Sequence, residues 1–230
     1  MKKILCLLFV LLLISSSLAE VAIPAAVNKV AESSVVLLVK KPGQKYQIFG
    51  NGFVVGRGRK VITGFHIIEG FTEADVITSD NTHYKVHKLH CNDQTGDIAC
   101  LLTNLPRKII PLKISAELPK KGDEIYLVEK AHSLQPYIKR GIVLFVGKVP
   151  DFGGEVIQIS NPISPGASGS PVVNKNGEVV GAVSFRLIRG RGDNIQNFAV
   201  SSTRIQRLVD RRDNIFKLFW QWLREDLPGN

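Results

Sequence analysis

The chain has 230 residues, room for one large domain or a pair of small barrels sharing an interface once a leader is removed. Its 44% hydrophobic content is that of a globular protein and excludes a low-complexity or disordered chain. The formal net charge is +10, two of it from Lys2 and Lys3. The lysines and arginines are scattered, with no basic stripe interleaved with aromatics, so nucleic acid is not expected as a partner and the charge reads as solubility.

Residues 1–19 carry the pattern of a secretory signal, with Lys2 and Lys3, an apolar run from Ile4 to Ile14, and Ser17-Leu18-Ala19 before a cut. That run is shorter than the roughly 20 residues needed to span a bilayer. The mature protein is therefore expected to be exported, periplasmic or secreted. Val27, Val30 and Ala31 suggest a short amphipathic helix. Short Val-, Ile- and Phe-rich runs follow at Val35–Val39, Tyr46–Val55, Lys60–Thr63, Tyr84–Leu89, Ile98–Leu102, Glu124–Val128, Ile142–Val146, Val156–Ile159, Val172–Val173, Glu178–Phe185 and Phe198–Val200. Separated by glycine, proline and Asn/Asp turns, they predict an all-β fold, an antiparallel sandwich or a barrel pair. Asn174-Lys175-Asn176-Gly177 marks a hairpin in which Asn-Gly supplies positive φ angles. From Ser202 or Thr203, Ile205, Leu208 and Val209 and then Ile215, Phe216, Phe219, Trp220 and Leu223 trace one apolar face, which predicts a C-terminal helix over 202–225. That aromatic stripe is expected to pack on its own barrel in preference to a membrane surface.

With Cys6 in the leader, Cys91 and Cys100 remain. Two readings stand open: a local disulfide contributing about 2–3 kcal/mol, or Cys100 as a small buried hydrophobe in Ile98-Ala99-Cys100-Leu101-Leu102. Histidines and cysteines lack ligand spacing, so no metal is expected, nor any other cofactor.

The most informative stretch is Pro165-Gly166-Ala167-Ser168-Gly169-Ser170-Pro171. A reactive serine needs small neighbours, because a substrate carbonyl must approach the backbone closely. Of five histidines, His66 stands out, at the end of a β-run in Val61-Ile62-Thr63-Gly64-Phe65-His66. His83, His87, His90 and His132 read as surface or capping groups. An acid must hold the base in one tautomer. Asp97, at the mouth of an apolar strand in Thr95-Gly96-Asp97-Ile98, suits that task better than Asp93 in a plainer polar turn. The order His, Asp, Ser is that of two-barrel serine proteases and differs from the subtilisin and α/β-hydrolase orders.

On these residues the chain resembles the trypsin-like protease domain of the HtrA (Deg) family, in the chymotrypsin clan. Further matching segments are Val27-Asn28-Lys29-Val30 leading to Ser34-Val35-Val36, Gly50-Asn51-Gly52-Phe53, Lys121-Gly122-Asp123, Arg140-Gly141-Ile142-Val143, Gly177-Glu178-Val179-Val180-Gly181 and Asn197-Phe198-Ala199-Val200. The resemblance implies two six-stranded antiparallel β-barrels, at about 34–110 and 120–200, within a protease domain over 20–230. It implies hydrolysis of peptide bonds in exported or misfolded polypeptides by Ser168, His66 and Asp97, with the N–H groups of Gly166 and Ser168 as an oxyanion hole. Ser184, Phe185 and Arg186 match the strand that pairs with the substrate backbone, with Arg186 at the pocket entrance.

Departures accompany it. The family has Asn before the serine and Gly two places after, where this chain has Ala167 and Ser170; Phe65 replaces a small residue beside His66. Most members carry a C-terminal PDZ domain, which this sequence does not offer. Family trimers use aromatic residues near the mature N-terminus, and none occurs from Glu20 to Lys45, so the oligomeric state is open. The alternative to an enzyme is a catalytically silent protease-like binding protein.

Overall fold

A computed structural model of the chain describes residues 22–56, 60–130, 134–150, 152–189 and 194–210. Helix α1 (Ala25–Ser33) opens it and buries Val27, Val30 and Ala31, the i, i+3, i+4 face expected of an amphipathic segment. Six strands follow: β1 (Ser34–Lys40), β2 (Gln47–Val55), β3 (Lys60–Thr63), β4 (Glu73–Ile77), β5 (His83–Asp93) and β6 (Ile98–Thr103). A helical turn, α2 (Phe65–Ile68), leaves β3, and a 3₁₀ turn (Gln94–Gly96) joins β5 to β6. Six more make the second half: β7 (Glu124–Lys130), β8 (Pro136–Lys148), β9 (Glu155–Ile159), β10 (Pro171–Val173), β11 (Val179–Arg189) and β12 (Asn194–Ser201). A helix over 202–210, here α3, follows directly.

Each set of six closes into an antiparallel barrel, in the order β1-β2-β3-β6-β5-β4 and β7-β8-β9-β12-β11-β10. The two orders are the same, a structural repeat that the sequence does not display. Closure pairs every edge strand, which removes the exposed N–H and C=O rows that invite aggregation. Valine, isoleucine and leucine fill each barrel interior, as Val35, Leu37, Val61 and Leu101 do in the first and Ile125, Leu127, Val143 and Ile157 in the second. A third apolar cluster joins the barrels: Phe53, Val55, Ile62 and Cys100 meet Tyr126, Val128, Val173 and Val179, with Val27 and Val30 of α1 and Ile205 and Leu208 of α3 closing its flanks. The connection between barrels bonds to both, from Leu112 N–H to Val54 O and from Ser115 N–H to Val179 O, each at 2.8 Å.

Several expectations need correction. β4 was not anticipated, because Glu73 and Asp75 interrupt its apolar pattern; Asp75 is buried nonetheless, with Lys85 3.1 Å away. β8 begins at Pro136, well before the apolar run at 142, since its first half carries Lys139 and Arg140. Cys91 and Cys100 stand opposite each other in the β5–β6 register as two thiols and not as a disulfide. Cys100 is fully buried, and Cys91 Sγ donates to Leu208 O at 3.5 Å. His90 is buried, not superficial. In the β10–β11 hairpin Gly177 alone takes a positive φ, and the Asn174 carboxamide oxygen accepts the N–H groups of Asn176 and Glu178. The leader at 1–19, His132 and the rest of the helix predicted over 202–225 lie outside the described residues. Among the described residues no helix is long and apolar enough to cross a membrane.

Candidate active site

β3 runs Val61, Ile62 and Thr63 into the first barrel and stops at Gly64. A Cβ on Gly64 would stand 3.0 Å from His66 Cε1, so the missing side chain lets the imidazole lie against its own backbone. In α2, Phe65 packs onto the first barrel's interior and Ile67 and Ile68 are buried, which leaves His66 as the residue turned outward, 48% of its side chain exposed. Phe65 therefore anchors the turn and does not crowd the ring.

Asp97 closes the 3₁₀ turn in a left-handed conformation, φ +49° and ψ +46°, which aspartate tolerates better than most residues. Its carboxylate accepts the His66 backbone N–H at 2.9 Å and lies 2.9 and 2.8 Å, through Oδ1 and Oδ2, from His66 Nδ1. A carboxylate only accepts, so the neutral ring carries its proton on Nδ1 and leaves Nε2 basic. Ser184 reaches the same carboxylate from the second barrel, donating to Oδ2 at 2.5 Å. It can do so because the β11–β12 register slips between Val183 and Phe185, and the bulge aims Ser184 out of the ladder. Burial pushes the Asp97 carboxyl up, but hydrogen bonds from His66 and Ser184 outweigh it and hold the group below the ordinary carboxylate value. Asp93 serves a different end: it accepts Gly96 N–H at 3.1 Å and pairs with Arg204.

Ser168 lies in the second barrel, between β9 and β10. Ser164, Pro165, Gly166 and Ala167 form a type II turn, with Ala167 N–H on Ser164 O at 3.1 Å and Gly166 at φ +85°. The loop then settles against the first barrel. Asn51 N–H donates to Ser168 O at 2.8 Å, and a Cβ on Gly169 would fall 2.0 Å from Asn51 O and 2.8 Å from Thr63 Oγ1. Thr63 is three residues before His66, and a Cβ on Gly50 would contact both Ser168 O and Ile67. The serine loop is thus docked on the strand ends that carry the histidine. Neither Gly166 N–H nor Ser168 N–H meets a hydrogen-bond acceptor among the described residues.

Of the other predicted contact residues, Phe185 stacks on Phe198 with ring centroids 4.9 Å apart and tilts against Phe152 at 4.7 Å. Arg186 is exposed opposite Asn197 in the β11–β12 ladder. Two supports escaped the sequence. Asn51 donates through Nδ2 to Gly166 O at 2.6 Å. Lys139, in a partly buried ion pair with Glu129, donates to Pro162 O at 2.9 Å and Ser164 Oγ at 2.7 Å, at the start of the turn. The glycines around Asn51 were its one visible signal. Among the described residues no group of His, Cys, Asp and Glu is disposed to hold a metal ion. A cavity of about 640 Å³ lined by Lys113, Asp123, Glu124 and Asn174 includes none of His66, Asp97 and Ser168.

Residues 50–181 match the family model described as a trypsin-like peptidase domain. A "probable periplasmic serine endoprotease DegP-like" of Chlamydia trachomatis serovar D is 27% identical over 177 residues, which cover 75% of this chain and 35% of that protein. A protein of the same name from Marinomonas sp. is 31% identical over 186 residues, covering 79% of this chain and 39% of its own. The chain therefore spans little more than a third of the length of these curated relatives. Among solved structures, the HtrA-type protease AlgW with tripeptide superposes with a TM-score of 0.69 at 19% identity, over 80% of this chain and 61% of that one, a likeness of fold.

Proposed function

The chain belongs to the trypsin-like peptidase family, and from that premise we propose that it is a serine endopeptidase with Ser168 as nucleophile, His66 as base and Asp97 as the orienting acid. The observation that carries this reading is the Asp97 carboxylate, which grips both the ring and the backbone of His66 and is itself fastened by Ser184. Structural aspartates pair readily with arginine or lysine. One that holds a half-exposed imidazole by Nδ1, beside a docked Gly-x-Ser-Gly loop, serves acyl transfer.

In the first step Ser168 Oγ bonds to the scissile carbonyl carbon while His66 Nε2 takes the hydroxyl proton. The oxyanion forms against the N–H groups of Gly166 and Ser168. Collapse breaks the C–N bond as the imidazolium returns that proton to the leaving amine. Water, deprotonated by His66, then hydrolyses the acyl-enzyme and regenerates Ser168. Asp97 stays ionised throughout and stabilises the imidazolium. The substrate is a polypeptide whose backbone lies along Ser184, Phe185 and Arg186. Residues 1–19 direct export, which accords with relatives named as periplasmic, and the substrates are then exported or misfolded proteins.

A second reading, a silent binding protein on the same fold, is favoured by Ala167 and Ser170 beside the serine. One experiment separates the two. Fluorophosphonate labelling and cleavage of fluorescent casein are measured for wild type and Ser168→Ala. The peptidase is labelled and cleaves casein, and the variant does neither. A folded wild type that resists the probe and spares casein belongs to the second reading.

A further inference from the structure

Asn51 stands in the first barrel, on β2, and is 1% exposed. All four of its polar groups are engaged at the junction with the serine loop. Its N–H donates to Ser168 O at 2.8 Å and its C=O accepts from Thr63 Oγ1 at 2.7 Å. In the side chain, Nδ2 donates to Gly166 O at 2.6 Å and Oδ1 accepts the Lys130 N–H at 2.7 Å.

A trans peptide is planar, with its C=O and N–H pointing opposite ways, so a peptide gripped at both groups cannot rotate. The Gly166–Ala167 peptide is gripped by Asn51 Nδ2 at its oxygen and by Ser164 O at its nitrogen. The Ser168–Gly169 peptide is gripped by Asn51 N–H at its oxygen and by Val183 O at its nitrogen, 2.8 Å each. Alternating with these are the Pro165–Gly166 and Ala167–Ser168 peptides, which carry the N–H groups assigned to the oxyanion. Ala167 O accepts Ser170 N–H at 3.0 Å, which turns Ser168 N–H to the other side.

We propose that Asn51 is a positioning residue for catalysis, holding from the neighbouring barrel the two peptides that set the direction of the Gly166 and Ser168 N–H donors. This rests on the serine-peptidase reading. Oxyanion donors act only when pre-aimed at the developing charge, and losing one typically lowers kcat by roughly 10²–10³-fold. Substrate held along β11 does not touch Asn51, so the effect belongs to kcat and not to KM.

Asn51→Asp keeps an acceptor for Lys130 N–H and replaces the donor to Gly166 O with a carboxylate oxygen. Steady-state cleavage of fluorescent casein, with circular dichroism melts to confirm folding, tests it. The expected result is a fall in kcat of roughly 10²-fold or more, with KM within about threefold of wild type. Asn51→Ser, whose shorter hydroxyl does not span both Gly166 O and Lys130 N–H, is read in the same way and decides the matter should Asn51→Asp not fold. Its expected fall in kcat is at least about tenfold. A smaller fall in the folded variant, or a loss expressed in KM, overturns the proposal. Wild type that is inert toward both casein and fluorophosphonate overturns the peptidase reading, and this inference with it; active wild type beside equally active variants overturns this inference alone.

Discussion

Arg204, in the helix that follows the second barrel, donates from Nε to Asp93 Oδ2 at 2.7 Å and from Nη2 to Thr95 Oγ1 at 2.9 Å, so that helix braces the turn that presents Asp97. The fit is close: a Cβ on Gly96 would lie 2.1 Å from Arg204 Nε, and one on Gly154 would lie 1.8 Å from Nη1. Arg204 is 9% exposed. Removing one partner of a buried ion pair leaves the other without compensation and costs about 3–5 kcal/mol. Asp93 keeps some contact with water, so Arg204→Met is expected at the lower end, about 3 kcal/mol. Urea unfolding of wild type and variant at neutral pH measures it, and a loss under about 1 kcal/mol would show that the clasp is ornamental.

Asp97 governs a second prediction. Asn in its place retains the shape but presents an amide to Nδ1, which favours the tautomer with the proton on Nε2. Asp97→Asn is therefore expected to lower kcat by roughly 10⁴-fold at neutral pH while the protein stays folded. Casein cleavage and the rate of fluorophosphonate labelling should fall together. Retention of more than about a tenth of wild-type kcat would remove Asp97 from the mechanism.

The same carboxylate sets an acid limb for stability. Its folded pKa is depressed by His66 and Ser184 against the opposing push of burial, while the unfolded value lies near 3.9. The folded state then binds fewer protons than the unfolded state just below the ordinary carboxylate range, and the contribution is present above it. It is lost as pH falls through the folded value. The difference in unfolding free energy between wild type and Asp97→Asn should shrink as pH falls below about 4. A difference that grows with acidification below about pH 4 would contradict the sign.

The barrels were legible because their strands are built of β-branched and aromatic residues set off by turn residues, a pattern carried by local order alone. The candidates His66 and Asp97 were picked out because each borders such a run, and Ser168 because glycines flank it. β4 was lost where Glu73 and Asp75 broke the pattern, although Asp75 finds Lys85 on the next strand. The supports were hidden for another reason. Asn51 meets Gly166 at a separation of 115 residues, and Arg204 meets Asp93 at 111, so nothing in either neighbourhood announces the partner. What the chain does show locally is glycine, as at 50, 52, 96 and 169, where another segment comes too close for a Cβ.

Lys130 yields a prediction on the alkaline side. It is 1% exposed, donates to Ser34 O and to Ser79 Oγ at 2.5 Å each, and burial lowers its pKa from 10.5 to about 8. Between about pH 8 and 10.5 the unfolded state binds the extra proton, so stability attributable to this lysine rises as pH rises through that window. A depression of this size corresponds to about 3 kcal/mol. Lys130→Met fills similar volume without a charge. Its unfolding free energy relative to wild type should therefore decline by about that amount from pH 7 to pH 10.5. A difference independent of pH would mean that the ammonium is not paying for its burial.

Gly166 and Gly169 share a left-handed backbone, φ +85° and +82°, but differ in what surrounds them. Around Gly166 no heavy atom lies within 4 Å of where a Cβ would stand, so Gly166→Ala meets conformational cost alone, about 1–2 kcal/mol. At Gly169 the Cβ would fall 2.0 Å from Asn51 O, a backbone atom that cannot swing aside. Overpacking adds about 1–3 kcal/mol to the conformational cost. It also forces the serine loop off β2, where Asn51 N–H and Thr63 Oγ1 converge. Gly169→Ala is thus expected to lose about 2–5 kcal/mol and to abolish fluorophosphonate labelling even where it folds. Gly166→Ala should keep its fold and lose rate chiefly through a disturbed Gly166 N–H. Denaturant midpoints and labelling rates of the two variants, measured side by side, read both effects. Equal stability losses would mean that the contact between the two barrels at Asn51 does not constrain the loop.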